Sequence, residues 1–350
     1  MPELPRKFSD WPTDAGVQTP AEIVRMYEAG YAGAVDNPEA KERLRAWIKQ
    51  EGGWVFGSDA THSFGIQGSG KGVLSTPFLA IEKLYKGALP GPAQERGSCV
   101  AHGTKNACLL TLCCEVVAAK PDEVSGKTEG APEVSPEGIR NGVLSTEAIY
   151  WWRRHGGDGW DCGSAAEVVL KESGVWVRKN YSELGFDLTD YSGSLEGKYG
   201  SRTPPDEVLK AGQQHLIRTA TECSTFEEIS DLIANGYGVN SCGGEGFSSS
   251  RDENGVSKRQ GGWSHSMAYL ATDDRPEIHK LYGGPLVLVQ NSWAVFNSGP
   301  RRILGTNIDI FEGSFWARWS DIKNRYAVAF SGLNGWPRRQ LPNWNLNAWG

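Results

Sequence analysis

From Cys99 onward, apolar residues recur every three or four positions: Ala101, Cys108, Leu112 and Val116, flanked by Ala107 and Leu109. That spacing predicts a half-buried helix with Cys99 in its first turn. Gly97 and Ser98 just before it supply a turn and an N-cap. Two earlier helices are expected, one over 20–31 with Thr19 as cap and Pro20 in the first turn, the other over 38–50 capped by Asn37. Shorter helices are expected near 145–154 and 165–173, and one more ending at Ala234. From about residue 225 the pattern changes. Strands are expected near Val239 and over 265–271, 286–291, 314–319 and 326–331. Helices first and strands later predict an α+β fold with a helical lobe, a β-rich lobe and a cleft between them. Residues 119–138 are rich in Pro, Gly, Ser and Glu without periodicity and read as an exposed loop.

A cysteine in the first turn of a helix meets unpaired backbone N–H groups and the positive end of the helix dipole, both of which favour thiolate. Alone, such a cysteine is more often a small buried hydrophobe than a nucleophile. Two later stretches change its standing. His265 opens the run His-Ser-Met-Ala-Tyr-Leu-Ala, and Leu286 to Gln290 is an apolar strand leading into Asn291. An imidazole on one strand and an amide on the next can sit side by side. Thiol-based acyl chemistry needs that pair, one group to move the proton and one to orient the ring.

Gln94, Cys99, His265 and Asn-Ser-Trp at Asn291 to Trp293 resemble the four signature blocks of the papain-like cysteine peptidases. Leu144 to Gly163 is similar to that family's second helix and the glycine turn on its cleft wall. Residues 226–238 resemble the helix before the first strand of its β lobe, and 313–321 a late strand. The resemblance spans about residues 90–335. It implies a two-lobe fold with an antiparallel, barrel-like second lobe, and hydrolysis of peptide bonds through a thioester. It assigns Cys99 as nucleophile, His265 as base, Asn291 as orienting amide and Gln94 as oxyanion donor. Gly163 would let a substrate backbone lie close, and Trp293 would cover the His265–Asn291 bond. The chain departs from the family pattern in four places. Gln94 lies five rather than six residues before Cys99, Val100 replaces an aromatic, Ala294 replaces a glycine, and Arg96 stands where many members carry a disulfide cysteine.

The domains expected are an extension over 1–89, a helical lobe over 90–220 and a β-rich lobe over 221–350. The tandem helices of the extension read either as a pro-segment or as a docking element. The tail from Asn334, with Trp336, Trp344 and Trp349, reads either as a docking segment or as a strap on its own domain. A formal net charge of −6 gives no reason to expect nucleic-acid binding. No stretch approaches twenty apolar residues and the N-terminus lacks the apolar core of a signal peptide, so no membrane association is expected. The location is left as cytoplasmic or particle-associated, virions included. Seven cysteines without zinc-type spacing predict no metal and no cofactor, and six of them read as buried free thiols in a reducing compartment. Residues 65–72 approximate a phosphate loop but end in Gly72 where a metal-binding hydroxyl belongs. His102, on nearly the same helical face as Cys99, is the rival base. His62, His155, His215 and His279 read as surface residues. The expected partner is a peptide or protein substrate, with a protein partner for the extension or the tail as a further possibility. Two other readings stay open: a papain-like scaffold with weak or lost activity serving a larger assembly, and acyl transfer such as transglutamination by the same thiol chemistry.

Overall fold

The computed structural model describes residues 18–31, 33–50, 70–118 and 131–331. The tryptophan-rich tail, His62, most of the phosphate-loop approximation and residues 119–130 lie outside them. The helices are α1 (Pro20–Glu28), α2 (Pro38–Gln50), α3 (Leu79–Leu84), α4 (Cys99–Ala118), α5 (Pro136–Arg140), α6 (Glu147–Tyr150), α7 (Cys162–Lys171), α8 (Gly193–Glu196), α9 (Asp206–Gly212), α10 (Phe226–Ala234), α11 (Pro276–Tyr282) and α12 (Trp319–Ile322). The strands are β1 (Leu74–Ser75), β2 (Asn180–Tyr181), β3 (Phe186–Asp187), β4 (Ala220–Cys223), β5 (Val239–Arg251), β6 (Ser257–Asp273), β7 (Leu286–Gln290), β8 (Ser314–Arg318) and β9 (Tyr326–Phe330).

The main sheet is antiparallel in the order β4-β9-β5-β6-β7-β8, with β1 added beside β6. Helices α4 to α9 form the other lobe. This is the α+β, two-lobe arrangement that the resemblance implies. β6 is its spine: the first half is an exposed ribbon with β5, and residues 265–273 are buried throughout. Met267 to Ala271 are apolar without alternation because both faces of the strand are covered.

α4 differs from the half-buried helix expected. Every residue from Cys99 to Thr111 is buried, so the helix runs through the interior between the lobes instead of along a surface. Two of its threonines are partnered across the lobe boundary. Thr104 accepts from Asn240 Nδ2 at 2.9 Å, and Thr111 Oγ1 donates to Phe330 O at 3.0 Å. Gly103 permits this closeness, since a Cβ there would stand 2.3 Å from Asn240 Oδ1 and 2.7 Å from Ser266 Oγ.

α1 begins with the expected Thr19 cap, a capping box with Glu22, and ends before Gly30, whose φ of 94° suits glycine. α2 keeps its expected bounds. It buries Ala40, Leu44 and Ile48, spaced four apart on one face, and each large one contributes about 1.5 to 3 kcal/mol. Arg43 on α2 pairs with Glu167 of α7 and Arg45 with Glu222 of β4. Both N-terminal helices are thus packed on the two lobes.

The cysteine expectation is corrected at two positions. Cys162 at the start of α7 and Cys242 on β5 form a disulfide joining the lobes, which withdraws the argument for a reducing compartment. Their separation of 80 residues carries no local signal. Cys99, Cys108, Cys113, Cys114 and Cys223 are free and buried. Among the described residues no helix is long and apolar enough to cross a membrane.

Candidate active site

The turn leading into α4 is held from three sides. Gln94 N donates to Ser292 O at 2.8 Å, Gly159 N donates to Gly97 O at 3.0 Å, and Ser98 Oγ donates to the buried Glu196 carboxylate at 2.8 Å. Arg96 makes an ion pair with Asp158 at 3.0 Å, which ties the turn electrostatically.

His265 lies on β6, and its Nε2 is 2.8 Å from Asn291 Oδ1 just beyond β7. That oxygen also accepts from Ser292 N at 2.7 Å, which identifies it as the acceptor and puts the ring proton on Nε2. Trp293 stacks on the imidazole, with centroids 4.6 Å apart and planes 29° from parallel, and shields that bond from water. His265 Nδ1 is then the acceptor, and among the described residues it is buried without a hydrogen-bond partner. Gln94, five residues before Cys99, is fully buried in the same turn. Ser292 Oγ donates to its Oε1, and its Nε2 donates to Arg96 O at 2.6 Å and to Tyr27 Oη at 3.2 Å.

Tyr27 was not foreseen. It comes from α1, is wholly buried, and its hydroxyl is hydrogen-bonded to the Cys99 thiol as well as to Gln94. Its ring meets His265 edge-on at 4.8 Å and Trp293 at 5.2 Å. Beyond it the chain runs along the cleft. Gly33 N and Ala34 N donate to Ser264 O, Trp160 N donates to Gly33 O, and Val35 N donates to Trp160 O, all at 2.7 to 2.9 Å. Gly33 lies so close to the sulfur that a Cβ on it would be 2.8 Å from Cys99 Sγ. Tyr27 and residues 33–35 therefore lie in the cleft, with Tyr27 and Gly33 against the thiol.

That covering sets the charge state. Burial pushes the Cys99 thiol up to about 11, with the Tyr27 hydrogen bond and the Arg325 charge pulling the other way. The rise corresponds to about 3 kcal/mol, more than the 0.3 to 1 kcal/mol or so that a helix N-terminus supplies. Burial likewise pushes the His265 imidazole down to about 3 against the Asn291 hydrogen bond. Near neutral pH both groups are uncharged in this state.

The other expected residues are distributed as follows. Gly163 is in the first turn of α7, where a Cβ would stand 3.0 to 3.2 Å from Ala40 and Lys41 of α2. The backbone lining the cleft is that of Trp160, three residues earlier. His102 faces away from Cys99, 3.5 Å from Glu196 Oε1 and edge-on to Tyr191, so it is not placed to act as base. Of the histidines read as surface residues, His279 is exposed and bonded to Asp274, while His155 and His215 are half-buried. The described amides of the phosphate-loop approximation are taken by carboxylates, Gly70 N donating to Asp231 and Gly72 N to Asp274. Among the described residues no cluster of side chains could hold a metal ion.

No family model matches the sequence, and no curated protein sequence matches it either. Among solved structures the chain is similar to xylellain, a cysteine protease from Xylella fastidiosa, at 17% identity over 69% of this chain and 83% of that one, with a TM-score of 0.41. It is similar to procathepsin B S9 from Trypanosoma congolense at 11% identity over 90% and 88%, with a TM-score of 0.43. It is also similar to procathepsin L2 from the larval midgut of Tenebrio molitor at 12% identity over 89% and 100%, with a TM-score of 0.39. At these scores the likeness assigns neither residues nor activity.

Proposed function

We propose that the chain is a papain-like cysteine peptidase, with Cys99 as nucleophile, His265 as base, Asn291 as orienting amide and Gln94 as oxyanion donor, held latent by residues 20–36. The observation that carries the reading is the His265–Asn291 hydrogen bond under Trp293, on the strand next to the helix that begins at Cys99.

When the segment leaves, water and substrate enter, and the cost of charging the pair falls. His265 Nδ1 takes the Cys99 proton, and the thiolate attacks a peptide carbonyl. The oxyanion occupies the place now held by the Tyr27 hydroxyl, within reach of the Gln94 amide. His265 then protonates the leaving amine, and water, deprotonated by the same ring, hydrolyses the thioester. The substrate backbone takes the hydrogen bonds that Gly33, Ala34 and Val35 now make to Trp160 and Ser264. The segment itself is not in a cleavable pose. The Gly33 carbonyl accepts from Trp160 N at 2.9 Å, and its oxygen is therefore directed at the wall and not at Gln94.

The second reading, a scaffold without activity, is favoured by one observation: Cys99 and His265 are both wholly buried. Hydrolysis of a fluorogenic peptide by the full chain carrying Tyr27→Ala separates the two. Loss of about a thousandfold or more on adding either Cys99→Ala or His265→Ala supports the peptidase. No hydrolysis that depends on either residue supports the scaffold.

A further inference from the structure

Arg325, in the turn between α12 and β9, belongs to none of the four signature blocks. Its side chain is fully buried. Nη2 donates to the backbone carbonyl of His265 at 2.6 Å and to Ser241 O at 3.4 Å, and Nε donates to Ser241 Oγ at 3.2 Å. Nη1 pairs with Glu245 Oε2 at 3.2 Å and reaches Glu245 O at 3.4 Å. One guanidinium thus ties the strand bearing His265 to the neighbouring β5 at a point where their pairing is irregular, just after Gly243 pairs with His265. A buried cation is costly to leave unpaired, and the ordinary way to tie two strands is a backbone ladder.

We propose that Arg325 is a positioning residue of the candidate site: it clamps the backbone of His265 and supplies a fixed positive charge behind the Cys99–His265 pair. This rests on the peptidase reading only in requiring that those two side chains act together. A cation at that place acts on both in one direction, favouring thiolate over thiol and neutral imidazole over imidazolium. Both groups carry that signature, since the Arg325 charge lowers the Cys99 and the His265 values alike. The clamp holds the base in line while its charge offsets part of what burial does to the sulfur. Glu245 on β5 opposes it. The remaining groups that bear on the pair are Tyr27 on α1, which is hydrogen-bonded to Cys99, and the uncharged His102 on α4, which acts on His265 only, while Tyr269 on β6 lies against Arg325 itself. The outer side of the turn faces a pocket lined by Lys41, Glu42, Arg45, Lys49, Glu222 and Lys323.

The test is the rate of Cys99 alkylation by iodoacetamide against pH, in the full chain with Tyr27→Ala, mapped by peptide mass. A coupled pair gives two inflections, one for thiolate formation beside imidazolium and one for loss of the imidazolium proton. Arg325→Gln is expected to move both upward by about 0.5 to 1 pH unit, less than the 1 to 3 units of a charge in direct contact. Glu245→Gln, at a partly exposed site, is expected to move both downward. Arg325→Lys keeps the charge without the fork, so the inflections stay while peptide hydrolysis falls at least fivefold. A merely structural residue would lower rates without moving two inflections the same way. Unmoved inflections, or shifts in opposite directions, in Glu245→Gln and in whichever Arg325 variants fold overturn the proposal alone. A single inflection that His265→Ala leaves unchanged overturns the peptidase reading and the proposal together.

Discussion

Tyr27→Ala tests the occluded state most sharply. The side chain is fully buried between His265 and Trp293, and its hydroxyl serves Gln94 and Cys99 at once. Truncating a buried aromatic to alanine costs about 3 to 5 kcal/mol. α1 and residues 33–35 meet the rest of the chain through this ring, the equally buried Ile23, the partly buried Val24, Met26 and Ala34, and backbone hydrogen bonds, and the part of the loss that falls on docking of the segment is taken at the lower end of that range. Taking about 3 kcal/mol on docking and tenfold per 1.4 kcal/mol, the open fraction rises by roughly two powers of ten. Tyr27→Phe keeps the ring and loses only the hydroxyl bonds, about 1 kcal/mol or roughly fivefold. The assay is the alkylation rate of Cys99 at neutral pH, resolved from the other four free cysteines by peptide mapping. The expected order is wild type, then Tyr27→Phe, then Tyr27→Ala, across about a hundredfold range. Equal rates in all three would refute the claim that this ring closes the site.

Ala294 has a φ of 46° where the family has glycine. The left-handed conformation costs about 1 to 2 kcal/mol for a residue with a Cβ, against about 0.4 to 1 kcal/mol of extra unfolded-state freedom for glycine. Ala294→Gly is therefore expected to raise Tm by about 2 °C, read by calorimetry, and a lowered Tm would contradict this. Opening the Cys162–Cys242 bridge, which closes a loop of 80 residues, is expected to cost about 4.5 kcal/mol in the chain-entropy picture. Urea titration of Cys242→Ser checks it, and an unchanged midpoint would show that the bridge adds nothing. The pH dependence has a definite sign. The folded-state value of His265 lies at about 3, below its ordinary value near 6.5, so the unfolded chain takes up the proton first as pH falls. The contribution of the neutral ring is intact above about 6.5 and is lost progressively down to about 3, at about 1.4 kcal/mol per unit. In His265→Gln this part of the acid-side slope should disappear from urea midpoints measured across that range.

Periodicity carried the two N-terminal helices, whose buried positions repeat along one face, whereas the helix at Cys99 and the main strands were legible as sustained apolar runs. His265 and Asn291 were legible as neighbours because each lies just outside the stretch where the two apolar runs pair, Ala268 standing opposite Gln290. What escaped has no local pattern. Tyr27 is one aromatic on the buried face of an ordinary capped helix, and only docking brings it to Cys99. Arg325 is a single cation in a turn. β4 is four residues long, and without β9 beside it the segment reads as a connection. The glycine turn around Gly163 resembles the family's, and in the fold α7 starts there with the Cβ-free face of Gly163 against α2. The expectation that α4 is half-buried failed for a related reason. A helix between two lobes is covered on all sides, and its polar positions find partners that the sequence does not announce.

The central claim is that Cys99 is a nucleophile made ready by His265. It is tested most directly by the mass of the full chain carrying Tyr27→Ala after incubation with a thiol-directed epoxide between about pH 5 and 8. A single adduct on Cys99 that is lost when His265→Ala is added is expected. No adduct anywhere in that range, or one that forms equally well without His265, would contradict it.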